Sequence, residues 1–197
     1  MENLKDLILD KGRKNIEPRW FMPHQALHDL MTKDVVEKAI RDTEIEHYQI
    51  SDLTQAVLNG SQKIFAILAL IGKPECILKF IEEDNFQHSH LDHRLPLPLE
   101  RLQRLLPNSN AAKQFYEKQW EFTAPVFTWS VLPRVLEREV ILPYIGRDIE
   151  MGSGGFGDVH LVEIEPSHQI FWQGSQQNVC LPLRYLFIKL TPNVGYS

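Results

Sequence analysis

Apolar residues recur at helical spacing through most of the first 120 residues of the chain. The apolar positions of residues 35–40 follow Thr32, a residue type that caps helices. A helix with this pattern turns one apolar side toward a core. Further segments with this pattern are residues 51–58, 75–82, 99–106 and 111–120. The pattern predicts a helical module over residues 1–120, with Phe115 and Trp120 packed inward.

One segment of this module, residues 63–71, is apolar on nearly every side and reads KIFAILALI. Ser61 stands where it can cap a helix that begins here. Gly72 and Pro74 supply a stop, because glycine accepts the left-handed conformation at a helix end and proline cannot continue the helix. We therefore predict a central, buried helix in this segment.

After Trp120 the chain becomes rich in β-branched and aromatic residues, with prolines between them. This composition favours strands and extended segments over helices. We predict an extended connecting segment over residues 121–144 and a β-rich part from residue 145 to 197. The fold class expected for the whole chain is α+β, with helices first and antiparallel strands after them.

A glycine-rich run, Gly-Ser-Gly-Gly-Phe-Gly-Asp-Val, occupies residues 152–159 and contains the G-x-G-x-x-G spacing. Dinucleotide-binding folds continue this motif as a helix, whereas protein kinases continue it as a strand. Val159, Leu161 and Ile164 follow mostly at period two, and Ile149 and Met151 alternate with polar residues before the run. The sequence thus predicts a hairpin with the glycines at its tip, within a three-stranded antiparallel sheet over residues 147–190.

Glycines at such a tip let main-chain N–H groups approach phosphate oxygens, because no Cβ atom stands in the way. The alternative is a glycine-rich turn that binds nothing. A second feature favours the phosphate interpretation, since the apolar strand Leu186-Phe187-Ile188 ends in Lys189. The 32 residues from Gly157 to Lys189 (189 minus 157) imply an inserted loop around residues 166–182.

The glycine run and the lysine strand together resemble the start of a protein kinase domain. With KIFAILALI and the segments around residues 115–127 and 141–143, they resemble the N-terminal region of a group of fungal kinase-like proteins, and the likeness covers about residues 50–197. The resemblance implies a Ser/Thr protein kinase fold, ATP with Mg²⁺, and a protein hydroxyl as phosphoryl acceptor. It also implies nucleotide contacts at Gly152, Ser153, Gly154, Gly155, Phe156, Gly157, Val159 and Lys189.

Two departures from the kinase pattern change the expected activity. The eight residues after Lys189 (197 minus 189) contain no acidic residue, no H-R-D catalytic loop and no D-F-G. No catalytic residue is therefore assigned, and the chain alone is expected to be inactive, as a truncated gene model, a splice product or a degenerate copy would be. Phe187 stands where kinases usually carry an alanine that faces adenine, so its ring would compete with the base for space.

Residues 84–98 contain three histidines and Asp92, which are residue types that bind divalent metals. The stretch has neither helical nor strand periodicity and ends in Pro96 and Pro98. We interpret it as a solvated loop and assign no metal ligand to it. Its histidines are His88, His90 and His93.

Composition excludes some classes of function. A formal net charge of -5 gives no basic field for nucleic acid or anionic lipid. Cys76 and Cys180 form neither a disulfide framework nor a metal-binding pair. No segment approaches the roughly 18 apolar residues of a membrane span, and the N-terminus has no signal-peptide core, so we expect a cytoplasmic or nuclear protein.

Two other functions remain open. The first is a non-catalytic interaction module, in which the helical region binds a protein partner and the kinase-like end is a pseudokinase remnant. The second is a dinucleotide-binding oxidoreductase, which requires a helix after Gly157 and an acidic residue at the end of the next strand. The sequence shows neither feature of the oxidoreductase.

Overall fold

The computed structural model describes residues 3–46, 49–83, 90–128, 136–154, 157–170 and 185–190. The chain divides into two compact units. A helical unit comprises residues 1–13 and 22–123, and a β-rich unit comprises residues 14–21 and 124–197. The mixed α+β class predicted from the sequence is confirmed at this level. None of the helices in the described ranges is long and apolar enough to cross a lipid bilayer.

The helical unit contains eight α-helices within the described residues. They are α1 (Leu4–Lys11), α2 (His24–Leu30), α3 (Lys33–Arg41), α4 (Ile50–Leu58), α5 (Gln62–Leu70), α6 (Ile77–Glu83), α7 (Leu99–Leu105) and α8 (Ser109–Lys118). Short 3₁₀ turns cover Pro74–Cys76, Leu91–Arg94 and Gln119–Phe122. The helices predicted from α3 onwards are present, with bounds that differ by a few residues.

Helix α5 is the centre of the helical unit, as its all-round apolar sequence predicts. Every residue from Ile64 to Leu70 is buried. The helix ends where expected, because Gly72 adopts the left-handed conformation with φ of 68°. Phe115 and Trp120 are also buried, and the Phe115 ring stacks on Phe80 with ring centroids 5.5 Å apart. The predicted core positions of the helical unit are therefore confirmed.

Seven strands occur in the described part of the chain, and three of them form the main sheet. The short strands are β1 (Arg13–Lys14), β2 (Trp20–Phe21), β3 (Phe127–Thr128) and β6 (Gln169–Ile170). The main sheet contains β4 (Tyr144–Gly154), β5 (Gly157–Ile164) and β7 (Tyr185–Leu190) in the order β4-β5-β7. Both pairs of neighbours are antiparallel. The three-stranded antiparallel sheet predicted over residues 147–190 is thus confirmed.

Two small apolar clusters support this sheet. Tyr144, Val162 and Ile164 form one cluster, against which Phe127 and Leu142 pack. Phe21, Ala124 and Ile141 form the other, with Ile145 against it. Among the side chains of β5 that the structure describes, Val162 and Ile164 are buried and Leu161 is half-buried. Of the period-two positions predicted from the sequence, Ile164 is therefore buried, and the side chain of Val159 lies outside those described.

Residues 14–21, which we call the N-terminal strap, belong to the β-rich unit although α1 and α2 on either side belong to the helical unit. The predicted helical module over 1–120 included these residues. Besides bonds within the strap, Asn15, Ile16 and Arg19 donate hydrogen bonds to residues 139–144, more than 115 positions away along the chain. The predicted boundary near residue 120 remains a prediction about independent folding, which the division into units does not test.

Candidate functional site

The glycine run lies at the end of the β4–β5 hairpin. Gly152, Ser153 and Gly154 end β4, and Gly157 begins β5. The residues that join the two strands, Gly155 and Phe156, lie outside the described residues. The innermost described pair of the hairpin is Gly154 opposite Gly157. A strand after Gly157 contradicts the dinucleotide-binding alternative, which needs a helix at that point.

The register of the sheet aligns three of the predicted nucleotide-binding positions. Gly152 is the Cα partner of Val159 across β4 and β5, and Val159 is the Cα partner of Lys189 across β5 and β7. Directly opposite positions of antiparallel strands are close neighbours on one face of a sheet. The backbone therefore places positions 152, 159 and 189 in one row across all three strands. Phe187 lies two positions before Lys189 and is opposite Leu161.

Strand β4 is irregular just before the glycine run. Glu150 pairs with His160 and Gly152 pairs with Val159, so Met151 is an extra residue, a β-bulge. The side chain of Met151 is 55% exposed. The alternation of apolar and polar residues noted before the run therefore stops at the bulge. Bulges re-aim the strand that carries them, and this one immediately precedes the first glycine.

Gly152 has open space where a side chain would begin. A Cβ atom built at this position meets no atom within 4 Å outside its neighbours. Glycine is therefore not required there by contacts within the protein. Gly146, at the start of the same strand, differs, because an added Cβ would collide with the carboxylate of Glu163. The open space at Gly152 is compatible with the close approach of a ligand to the backbone.

A second polar cluster lies in the helical unit, around the N-terminus of α5. The Asp92 carboxylate accepts hydrogen bonds from the backbone N–H groups of Lys63 (2.9 Å) and Ile64 (3.0 Å). Burial raises the pKa of Asp92 to about 6, although these bonds and the Lys63 charge act to lower it. Burial also lowers the pKa of Lys63. Asp92 is thus a structural cap for the central helix.

This cap corrects two predictions. Ser61 does occupy the N-cap position of α5, but its side chain makes no capping bond there. The expected solvated loop over residues 84–98 is wrong around Asp92, because residues 91–94 form a 3₁₀ turn and Leu91 is buried. His88 lies outside the described residues. His90 and His93 contact each other edge to face, 5.4 Å between ring centroids.

The same region borders an open cleft of about 460 Å³. Its lining includes the side chains of His28, Asn59 and His90. Gly60, with φ of 126°, also borders it, and a Cβ there would lie 2.6 Å from Nδ1 of His90. Nowhere in the described ranges do three or more histidine, cysteine, aspartate or glutamate side chains form a group suited to a metal ion. The residues that line this cleft include no aspartate, glutamate, lysine or arginine.

Comparisons of the chain with protein-family models, with curated proteins and with solved structures found no match. The candidate site is defined by the glycine hairpin and by positions 152, 159 and 189, which lie in one row across the sheet.

Proposed function

We propose that the β-rich unit is the nucleotide-binding part of a Ser/Thr protein kinase-like lobe, in which the glycine hairpin and Lys189 hold the phosphates of ATP. The observation that carries the proposal is the row of positions 152, 159 and 189 across β4, β5 and β7. In a kinase the glycine loop covers the phosphates and a lysine on the third strand pairs with them. In this sheet Val159 of β5 lies between Gly152 of β4 and Lys189 of β7, so the strand that carries the lysine is next to the hairpin that carries the glycines.

Gly152 supports this proposal independently of the sequence motif. Gly152 is exposed, and none of the residues that the structure describes fills the space of its absent side chain. A phosphate oxygen needs such space to reach main-chain N–H groups. Lys189 would add the positive charge that a triphosphate requires. Mg²⁺ would be held chiefly by the phosphates, because the described residues offer no metal-binding cluster.

We expect this chain alone to bind ATP weakly and to transfer no phosphoryl group. The 197 residues contain no H-R-D loop to orient a hydroxyl and no D-F-G to hold the metal. Adenine in a kinase lies between two lobes, and bound by the β-rich unit alone much of the nucleotide would stay in water. The kinase resemblance implies that Phe187, at the position where kinases usually carry alanine, would further narrow the space for the base. We expect dissociation constants on the order of millimolar.

The test is a titration of the ¹⁵N-labelled chain with Mg-ATP, followed by the amide resonances. We expect shifts confined to residues 150–160 and 186–190 at millimolar ATP. Lys189→Met, which removes the charge and keeps an apolar stem of similar length, should abolish most of the shift. Phe187→Ala should strengthen binding if the ring competes with adenine.

Two outcomes would contradict the proposal. One is the absence of shifts at the hairpin at 10-fold higher concentrations than the expected constant, which would favour the non-catalytic interaction module. The other is transfer of labelled phosphate to a protein substrate that persists in Lys189→Met, because the active site would then lie elsewhere. Lys79→Met, a lysine of helix α6 in the other unit, is the matched control for both measurements.

A further inference from the structure

The N-terminal strap holds the part of the chain that leads into β4. The Nδ2 of Asn15 donates to the carbonyl of Leu142 (3.0 Å). The guanidinium of Arg19 donates to the carbonyls of Val140 (3.2 Å) and Glu139. The backbone N–H of Ile16 donates to the carbonyl of Tyr144 at 2.9 Å. Four carbonyls within six consecutive residues therefore have their partners in the strap.

Asn15 also shapes the strap itself. Its side-chain oxygen accepts from the backbone N–H groups of Glu17 (3.0 Å) and Arg19 (2.9 Å). These two bonds close a turn, and Arg19 at its end donates to the carbonyls of Val140 and Glu139. Asn15 is 7% exposed, so the oxygen and the nitrogen of its side-chain amide make their hydrogen bonds where little water reaches them. One side chain thus forms the turn and joins it to residue 142.

The far end of the strap is anchored by apolar contacts. Phe21 is fully buried with Ala124 and Ile141, and its ring meets His168 edge to face with centroids 5.6 Å apart. Nδ1 of His168 lies 3.1 Å from the carbonyl of Pro125. The strap is therefore fixed by hydrogen bonds from residues 15–19 and by the buried Phe21 ring at its end.

Residues 139–143 form no strand, so the sheet supplies no partners for their carbonyls. The strap supplies donors to the carbonyls of Glu139, Val140 and Leu142, of which the last two are partly buried. The same backbone continues as β4 to Gly152, with register shifts at three places along the strand. We propose that the strap is a conformational clamp: when it is seated, it fixes the start of β4 and so the glycine hairpin, and its release loosens both. The clamp goes beyond nucleotide binding and does not depend on it.

The clamp is tested by amide hydrogen exchange of the full chain without nucleotide. The informative variant is Asn15→Asp, because a carboxylate still accepts from Glu17 and Arg19 but cannot donate to Leu142. Arg19→Ala removes the second link, and Arg19→Lys retains its charge without the two-pronged geometry. Lys14→Ala, at an exposed position of the same strap, is the control.

We expect Asn15→Asp, which loses one hydrogen bond, to speed exchange of residues 140–154 on the order of tenfold, and Arg19→Ala, which loses two, to speed it at least as much. Exchange in α5 should stay at the level of the Lys14→Ala control. Arg19→Lys should give a smaller increase than Arg19→Ala. Unchanged exchange over residues 140–154 in both variants would overturn the clamp. An equal increase in α5 would also overturn it, because the substitutions would then weaken the whole chain rather than release β4.

Discussion

Gly152 and Gly60 are both glycines, but the structure uses them for different reasons. Gly60 has φ of 126° and faces His90, so both its conformation and its surroundings exclude a side chain. Gly152 has ordinary backbone torsion and open space beside it. A glycine that the fold does not need is better explained by something that approaches from outside. Because of this difference, the nucleotide proposal can be tested by adding one methyl group at Gly152 and, for comparison, one at Gly60.

We predict that Gly152→Ala leaves the free energy of unfolding within about 0.5 kcal/mol of the unmodified chain, because the added methyl group meets nothing. The same change should sharply reduce the amide shifts caused by Mg-ATP, because it obstructs the backbone. Gly60→Ala is the matched control, and we expect it to cost about 1–3 kcal/mol. Urea unfolding and the nucleotide titration measure the two effects. A large loss of stability in Gly152→Ala, or unchanged shifts, would contradict this use of the glycine.

Helix α5 shows how one element depends on a residue that is distant in sequence. Its N-terminal N–H groups would otherwise be unpaired inside the unit, because Ser61 provides no capping bond. Asp92 reaches them from 28 and 29 positions further along the chain. Its own N–H donates to the carbonyl of Gly60 at 2.9 Å, which fixes the turn that carries the carboxylate. The most buried helix of the unit therefore begins at a tertiary contact.

We predict that Asp92→Ala destabilises the helical unit by about 1–2 kcal/mol, the usual cost of a lost cap. Asp92→Asn should cost less, because its oxygen can still accept one of the two bonds. Asp52→Ala, an exposed acidic residue in the first turn of α4, is the control and should change stability little. Urea unfolding followed by helical circular dichroism measures all three. Equal losses in Asp92→Ala and Asp52→Ala would rule out the capping role.

The raised pKa of Asp92 also predicts a dependence on pH. Asp92 releases its proton near pH 6 in the folded chain and near its ordinary value of 3.8 in the unfolded chain. Between these values the folded state holds more protons, so its stability falls as pH rises from about 4 to about 6. The fall is about 3 kcal/mol at most, from 1.36 kcal/mol for each pKa unit. The stability difference between the unmodified chain and Asp92→Asn should follow this curve. A difference that stays constant or grows with pH would contradict it.

At the scale of the whole molecule, the two units differ in how they are built. The helical unit is centred on α5, and α1 contributes the fully buried Ile8 to it. The β-rich unit has two small apolar clusters, one of which includes Phe21 of the strap. An isolated three-stranded sheet is marginal unless another layer packs on its face, and its edges invite aggregation.

We predict that residues 1–123 fold cooperatively when expressed alone, whereas residues 124–197 do not. The second fragment lacks the strap and so loses the partners of four carbonyls and the Phe21 anchor. Circular dichroism and urea unfolding of both fragments test this expectation, with the full chain as reference. A soluble, cooperatively folded 124–197 fragment beside an unfolded 1–123 fragment would show that the units were assigned the wrong roles.

The sequence by itself determined the features that depend on neighbouring residues. The all-round apolar composition of residues 63–71 predicted the buried helix, and Gly72 predicted its end. Period-two spacing after Gly157 predicted a strand rather than a helix, and thereby the hairpin that holds the glycine run. Periodicity, glycine torsions and turns act over a few residues, so they can be read along the chain.

Only the tertiary structure decided the contacts that close over long separations. The cap of α5 comes from Asp92 rather than Ser61, and the strap bonds of Asn15 and Arg19 join residues 120 to 127 positions apart. The row of positions 152, 159 and 189 likewise depends on strand register. A short polar side chain has many local partners open to it, and its choice is fixed only when the chain returns and burial makes an unpaired group costly.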